Sequence, residues 1–299
     1  LNSLSFKFVG TASTTGYDSA GLSLIEPTII LNLAPVNDAP TLDLNGSAAG
    51  NNTTGSWTEA NGPESSSRAV ALAAASSTSL ADVDDSSLAN LSVSGRVYAG
   101  DRLVAGDQVI DLMLSGSGTV TVNAVAFGYT VTSNGTNALV VFSKSSPEAS
   151  VSAYEALLDT LAFTHLSDSP NTTARVFSVA VSDGELSSTV ATATISVTAT
   201  NDAPELLNLA TQAEYDWGRD VPTTLFPAVQ LQDLDGTVQI LTLKLVDAGA
   251  GDKLNFSNGG NVTGVWDISN QTLTLTNTGT TADLQAALLR GVLRLRFLR

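Results

Sequence analysis

Short runs in which apolar and polar residues alternate recur along the whole chain. In the first run, Leu4, Phe6 and Phe8 alternate with polar neighbours. Alternation with a period of two places every second side chain on the same face, so these runs predict β-strands with one buried face. Turn-forming residues separate the predicted strands, which lie at 4–9, 22–33, 69–74, 89–98, 109–114, 119–131, 138–143, 161–165, 177–182, 190–197, 238–246, 262–268, 272–276 and 293–297.

Two segments have the spacing of a helix instead. Between Ser150 and Thr160 the apolar side chains recur at intervals of three and four residues, and Ser150 or Ser152 can cap the first turn. The segment from Thr281 to Leu289 has the same character, with Thr280 or Thr281 as its cap. We therefore expect one short helix in each of these places.

A four-residue motif, Asn-Asp-Ala-Pro, occurs at 37–40 and again at 201–204. Each copy follows an alternating strand and precedes a new apolar run, and the two copies begin 164 residues apart. A polar turn with an Asp-x-Asp sequence follows each copy, at 82–84 and at 233–235. We interpret the four-residue motif as the joint of a repeat protein.

The two joints divide the chain into three parts. Residues 1–36 are interpreted as the C-terminal hairpin of a preceding repeat, 37–200 as a complete repeat, and 201–299 as a repeat that lacks its last hairpin. Many short strands separated by turn signals are typical of an all-β fold, here a β-sandwich with one short helix in each repeat. The chain opens in a strand-like run without Met or a secretion signal, so we expect it to be a segment of a longer protein.

Composition narrows the classes of function. The 299 residues include no Cys and one His, which excludes disulfides, thiol nucleophiles and zinc sites built from thiolates or several histidines. The net charge of −16 argues against nucleic acid and anionic membranes as partners, but it permits hard cations. No apolar run reaches the roughly 18 residues of a membrane-spanning helix. The composition suits an exported bacterial protein.

The order of these features resembles the cadherin-like tandem repeats of large bacterial surface adhesins of the RTX type. That order is strand, Asn-Asp-Ala-Pro, strand, Glu, Asp-x-Asp, several strands, short helix, strand and Asp-Gly hairpin, and it covers nearly the whole chain. The resemblance implies tandem Ig/cadherin-like β-sandwich repeats outside the cell, at the bacterial cell surface. It also implies that Ca²⁺ ties neighbouring repeats into a rod.

For the second joint, the resemblance implies ligands from the linker and from both neighbouring repeats, namely Asn201, Asp202, Glu59, Asp233 and Asp235. For the first joint it implies Asn37, Asp38, Asp82 and Asp84, and weaker binding because the upstream repeat is absent. Calcium takes oxygen ligands from carboxylates and carbonyls, which these residues supply. The linker lacks the second Asn of the animal cadherin pattern, and the middle repeat has no Asp-Arg-Glu triplet, so we expect one or two ions at each joint.

The candidate calcium ligands, the single histidine and the tryptophans each also have an interpretation that requires no bound ion or ligand. Asp-x-Asp and Asp-Gly are turn formers even without an ion. The single histidine, His165, has no second His or Cys for a metal or a nucleophile, so we expect it to be packed or on the surface. Core or rim packing is preferred over sugar stacking for Trp57, Trp217 and Trp266. We therefore do not expect an enzyme.

Three functions remain open. The first is a structural extender of an adhesin, made rigid by calcium. In the second, loops of the repeat at 37–200 bind a glycan or a protein on a host or other surface. In the third, the N-terminal hairpin of one copy completes the C-terminal repeat of another by strand exchange, which would build filaments.

Overall fold

A computed structural model describes residues 3–7, 28–32, 36–63, 68–74, 79–144, 146–209, 225–249, 252–289 and 294–296. Within these ranges the chain is mostly β-strand, arranged in several sheets, with two short helices. The predicted all-β class is confirmed. Neither helix in this part of the chain is long and apolar enough to cross a membrane.

The first pair of strands is antiparallel. β1 (Ser3–Lys7) and β2 (Thr28–Asn32) place Ser3 opposite Asn32 and Lys7 opposite Thr28. The predicted strands at 4–9 and 22–33 fall partly on these two elements and partly outside the described residues.

The segment between the two Asn-Asp-Ala-Pro motifs contains a seven-stranded sheet, a four-stranded sheet and two small strand pairs. Its elements in chain order are β3 (Thr41–Asp43), β4 (Thr53–Thr58), β5 (Val70–Ala71), β6 (Ser79–Ala81), β7 (Ser87–Leu88), β8 (Asn90–Arg96), β9 (Asp101–Ala105), β10 (Gln108–Asp111), β11 (Gly116–Val122), β12 (Val125–Ser133), β13 (Asn137–Ser143), β14 (Ala149–Ser150), α1 (Val151–Leu158), β15 (Ala162–His165), β16 (Arg175–Ser182) and β17 (Ala191–Thr198).

The large sheet has the strand order β11-β12-β13-β8-β16-β17-β4, and the smaller one has β10-β9-β15-β5. Alternate residues of the large sheet enter one hydrophobic core, as the burial of Phe177, Val179 and Val181 along β16 illustrates. The residues between them, such as Ser178 and Ser182, are more exposed, which is the alternation that the sequence predicted. The last strand, β4, runs parallel to β17, with Thr58 opposite Thr198.

The helix α1 begins where the sequence predicts. The Ser150 hydroxyl accepts the backbone N–H of Ala153, which satisfies one of the free amides at the helix start. Tyr154, Leu157 and Leu158 are buried against the core. The Tyr154 hydroxyl donates to the carbonyl of Ala89, and burial raises the pKa of that hydroxyl to about 12.

One segment that was predicted as a single strand forms two strands joined by a tight turn. The run at 119–131 was predicted as a single strand, but the chain reverses at Asn123 and Ala124, so that Val122 lies opposite Val125. Both turn residues have positive φ, 49° and 63°. A two-residue turn of this kind usually carries Asn-Gly or Asp-Gly, and Ala124 in place of Gly hid it from the sequence pattern.

The second joint is followed by a second set of elements with its own core. They are β18 (Glu205–Leu207), β19 (Gln230–Gln232), β20 (Ile240–Lys244), β21 (Lys253–Asn255), β22 (Val262–Asp267), β23 (Thr272–Asn277), α2 (Thr281–Leu289) and β24 (Arg294–Arg296). The predicted helix at 281–289 is confirmed. A separate buried cluster includes Val262, Leu275 and Leu284.

The two sets of elements repeat one arrangement. β20, β23 and β22 pair in the same order as β8, β13 and β12. In both sets a short helix follows these strands, and the next strand pairs with an earlier one, β15 with β9 and β24 with β21.

Candidate metal centre at the second joint

Asp202 lies at the centre of the second joint. Its side chain is buried, with 2% of the residue exposed. One carboxylate oxygen, Oδ1, accepts the backbone N–H of Gly62, and the backbone N–H of Asp202 donates to Oδ1 of Asp235 at 3.1 Å. The other oxygen, Oδ2, is buried and finds no hydrogen-bond partner among the residues that the structure describes. A buried carboxylate oxygen without a partner is costly unless a cation or water satisfies it.

Glu59 reaches the same place because of the parallel pairing of β4 with β17. The two strands run side by side, so Glu59, which follows β4, emerges beside the linker, which follows β17. The Glu59 side chain accepts the backbone N–H of Thr200 at 2.8 Å, and its own backbone N–H donates to the carbonyl of Thr198 at 3.0 Å. Glu59 is 2% exposed. The structure therefore brings together Glu59 and Asp202, two residues that the sequence analysis named.

Asp168 is the third acidic residue of this group. Glu59, Asp168 and Asp202 each offer a carboxylate oxygen, and these oxygens lie within 4.8 Å of one another. Like charges at this separation repel, and a bound cation would offset that repulsion. These three residues could hold a metal ion. We refer to them as the joint triad.

Sequence reasoning missed Asp168. It stands in the loop at 166–174, between β15 and β16, in a Ser-Asp-Ser-Pro run that reads as an ordinary polar turn. Its proximity to Glu59 and Asp202 comes from strand order in the folded molecule, and no spacing along the chain signals it.

The other residues predicted for this joint contact the linker or their own turn. Asp235 accepts the N–H of Asp202, as described, whereas Oδ1 of Asp233 accepts the backbone N–H of Gly236 at 2.7 Å and closes its own turn. The Asn201 amide donates to the carbonyl of Asp202 at 2.8 Å. Ion ligation by these three residues stays a prediction.

The first joint repeats part of this geometry. The backbone N–H of Asp38 donates to the carboxylate of Asp84 at 3.2 Å, just as that of Asp202 donates to Asp235. Oδ1 of Asp82 accepts the N–H groups of Asp84 and Asp85. The second aspartate of each Asp-x-Asp sequence therefore binds the linker backbone, while the first closes a turn.

A second acidic group lies at the first joint. Asp82, Asp85 and Asp183 have carboxylate oxygens within 4.8 Å of one another, but this group is more open to solvent than the joint triad. The Asn37 amide donates to Oδ2 of Asp183 at 2.9 Å and lowers the pKa of that carboxyl. Although Asp85 is exposed, desolvation and then the neighbouring negative charges, Asp82 first among them, raise the pKa of its carboxyl. Of the predicted ligands, Asp82 belongs to this group, Asn37 contacts it through Asp183, and Asp38 and Asp84 contact each other beside it. Ion ligation by these four residues stays a prediction.

A buried ionic cluster lies at the base of the loop that carries Asp168. Asp101, His165 and Arg175 are all fully buried. The Arg175 guanidinium binds Asp101 through Nε at 2.9 Å and through Nη2 at 2.9 Å. It also stacks over the ring of Tyr98, 4.4 Å from the centroid.

His165 is a packed residue, as expected. Its Nδ1 accepts the backbone N–H of Ser167 at 3.0 Å, so this nitrogen carries no proton. Burial lowers the pKa of the imidazole below its ordinary value, an effect that Arg175 reinforces and the Asp101 charge opposes. The ring packs against Trp57, 5.5 Å between centroids. The packing role predicted for Trp57 is confirmed, Trp266 packs against the second core, and Trp217 lies outside the described residues.

Comparison with known proteins identifies no relative. No protein-family model matches the chain, and no curated protein matches its sequence. The resemblance to cadherin-like repeats therefore stays an interpretation of the sequence.

Proposed function

We propose that this chain is an extracellular segment of a cell-surface adhesin, built from tandem cadherin-like β-sandwich repeats whose joints are fixed by calcium. In this role it is a structural extender rather than an enzyme. One observation carries the proposal: Asp202, a buried linker residue, is held by Gly62 of the unit before it and by Asp235 of the unit after it. An ion bound to its second oxygen would join the same two units.

The donor set fits a hard cation. All three members of the joint triad are carboxylates, and neither His nor Cys belongs to the group. Calcium accepts irregular sets of six to eight oxygens, whereas magnesium demands near-ideal octahedral geometry and keeps several waters. A site assembled from a strand end, a loop and a linker suits the more tolerant ion.

The repeated arrangement of elements supports the tandem architecture. The same strand order, helix and returning strand appear on both sides of the second joint, each set with its own core. The same backbone contact between linker and Asp-x-Asp turn occurs at both joints. A device repeated at successive joints sets the angle between repeats, which is what an extender requires.

Calcium should raise the melting temperature of the chain. Extracellular calcium modules bind at roughly 0.1–1 mM, and at ten times Kd a site that exists only in the folded state adds about 1.4 kcal/mol. We expect the melting temperature to rise with calcium concentration in differential scanning calorimetry and to return to its starting value with EDTA. Magnesium at the same concentrations should have a smaller effect. Identical melting curves in calcium and EDTA would contradict the calcium proposal.

A further inference from the structure

We propose that Arg175 is a positioning residue for the joint: it holds the loop at 166–174 in the shape that delivers Asp168 to the joint triad. This inference rests on the proposed function, because it concerns the affinity of the same site. The site itself is supported by the acidic group and, independently, by the partnerless buried Oδ2 of Asp202.

Arg175 forms hydrogen bonds with the C-terminal half of the loop at 166–174. Its Nη1 donates to the backbone carbonyls of Asn171, at 2.7 Å, and Thr173. The remaining donors of the guanidinium, Nε and Nη2, bind Asp101 on β9. One side chain therefore fastens two loop carbonyls to a neighbouring strand, and it does so inside the core, where water does not compete.

The N-terminal half of the loop is fastened to the same strand region. The backbone N–H of Leu166 donates to the carbonyl of Gly100 at 3.0 Å, and that of Ser167 donates to Nδ1 of His165. Gly100, with φ of +95°, lies against the His165 ring, where an added Cβ would come within 2.7 Å of the ring. Asp168 thus stands between two fixed anchors.

Such anchoring matters because the triad is self-repelling. The like charges of Glu59 and Asp202 repel the Asp168 carboxylate, and a loosely held loop would let that carboxylate move away from them. A loop fixed at both ends holds the carboxylate in place, so that binding an ion does not also have to order the loop. The arginine fork is suited to this work because it offers several donors in one plane, which a lysine does not.

The test compares ion affinity in three proteins. Tb³⁺, which binds oxygen-rich calcium sites, serves as the probe, and its emission is excited through tryptophan; Trp57 lies two residues from Glu59. We expect Arg175→Lys to raise the Kd of the joint about tenfold, the loss typical of changes to residues that orient metal ligands. Val140→Ala, which removes buried bulk from β13 away from the loop, should leave the Kd unchanged.

Two further variants separate the possible outcomes. Pro170→Gly loosens the same loop without changing either residue of the Asp101–Arg175 ion pair, so it should also weaken binding. It replaces Arg175→Lys in the test if that variant does not fold. Asp168→Asn removes the proposed ligand and should weaken binding most. If the parent chain and Asp168→Asn differ but Arg175→Lys and Pro170→Gly bind as the parent does, Arg175 has no positioning role. If the parent binds no Tb³⁺ or Ca²⁺ at all, the proposed function fails and this inference fails with it.

Discussion

Replacing Asp202 by asparagine should remove the calcium-dependent stability of the chain while leaving its calcium-free stability intact. At a calcium concentration a hundred times Kd, an ion that binds only the folded form adds about 2.7 kcal/mol, and the variant should lose this gain. An asparagine oxygen can still accept the N–H of Gly62, so the existing hydrogen bond survives. Without calcium, one charge fewer in the triad relieves repulsion, and the variant should be as stable as the parent or slightly more so.

A loss of stability in calcium with no loss in EDTA distinguishes ligation from ordinary packing. Calorimetric melting of parent and variant in both conditions measures these stabilities. Asp247→Asn is the matched control, since Asp247 is exposed and lies outside the joint. An Asp202→Asn protein that loses equal stability in calcium and in EDTA would show that Asp202 stabilises the fold without binding calcium.

Replacing Asp101 by leucine should destabilise the middle unit by about 3–5 kcal/mol, because it leaves the Arg175 guanidinium buried without its counter-charge. The carboxylate also accepts the backbone N–H of Tyr98 at 2.8 Å, and that group would lose its partner too. Urea unfolding followed through Trp57, in a background with Trp217→Phe and Trp266→Phe, reports on this unit.

A double replacement tests the cause of that loss. Asp101→Leu combined with Arg175→Met removes both buried charges, so it should cost less than Asp101→Leu alone, although the loop carbonyls of Asn171 and Thr173 lose their donor. If the two substitutions simply add, the buried pair is not the source of the effect.

Local sequence rules predicted the elements whose cause is local. The capping residue Ser150 and the spacing of Tyr154 and Leu157 predicted helix α1. Strict alternation of apolar residues predicted strand β16. The turn at Asn123 was not predicted because the next residue is Ala124, and alanine seldom adopts a positive φ.

The site was predictable only in part, for a reason that lies in topology. Asp202 belongs to a motif that repeats, and the resemblance to cadherin-like repeats implied Glu59, although no strand was predicted at Thr53–Thr58 before it. Their meeting depends on β4 pairing in parallel with β17, across more than a hundred residues of chain. Asp168 joins them through a loop whose shape is set by Arg175. Non-local pairing of this kind leaves no periodic signal.

The central claim is that an ion at Asp202 fixes the angle between the two units, and one measurement tests it directly. The chain contains no cysteine, so spin labels can be attached at Thr130→Cys and Thr263→Cys, exposed positions on β12 and β22. Electron–electron double resonance then gives the distribution of distances between the units. We predict a broad distribution in EDTA, a narrow one in calcium, and a broad one in both conditions for Asp202→Asn. Distributions of equal width with and without calcium would contradict the account.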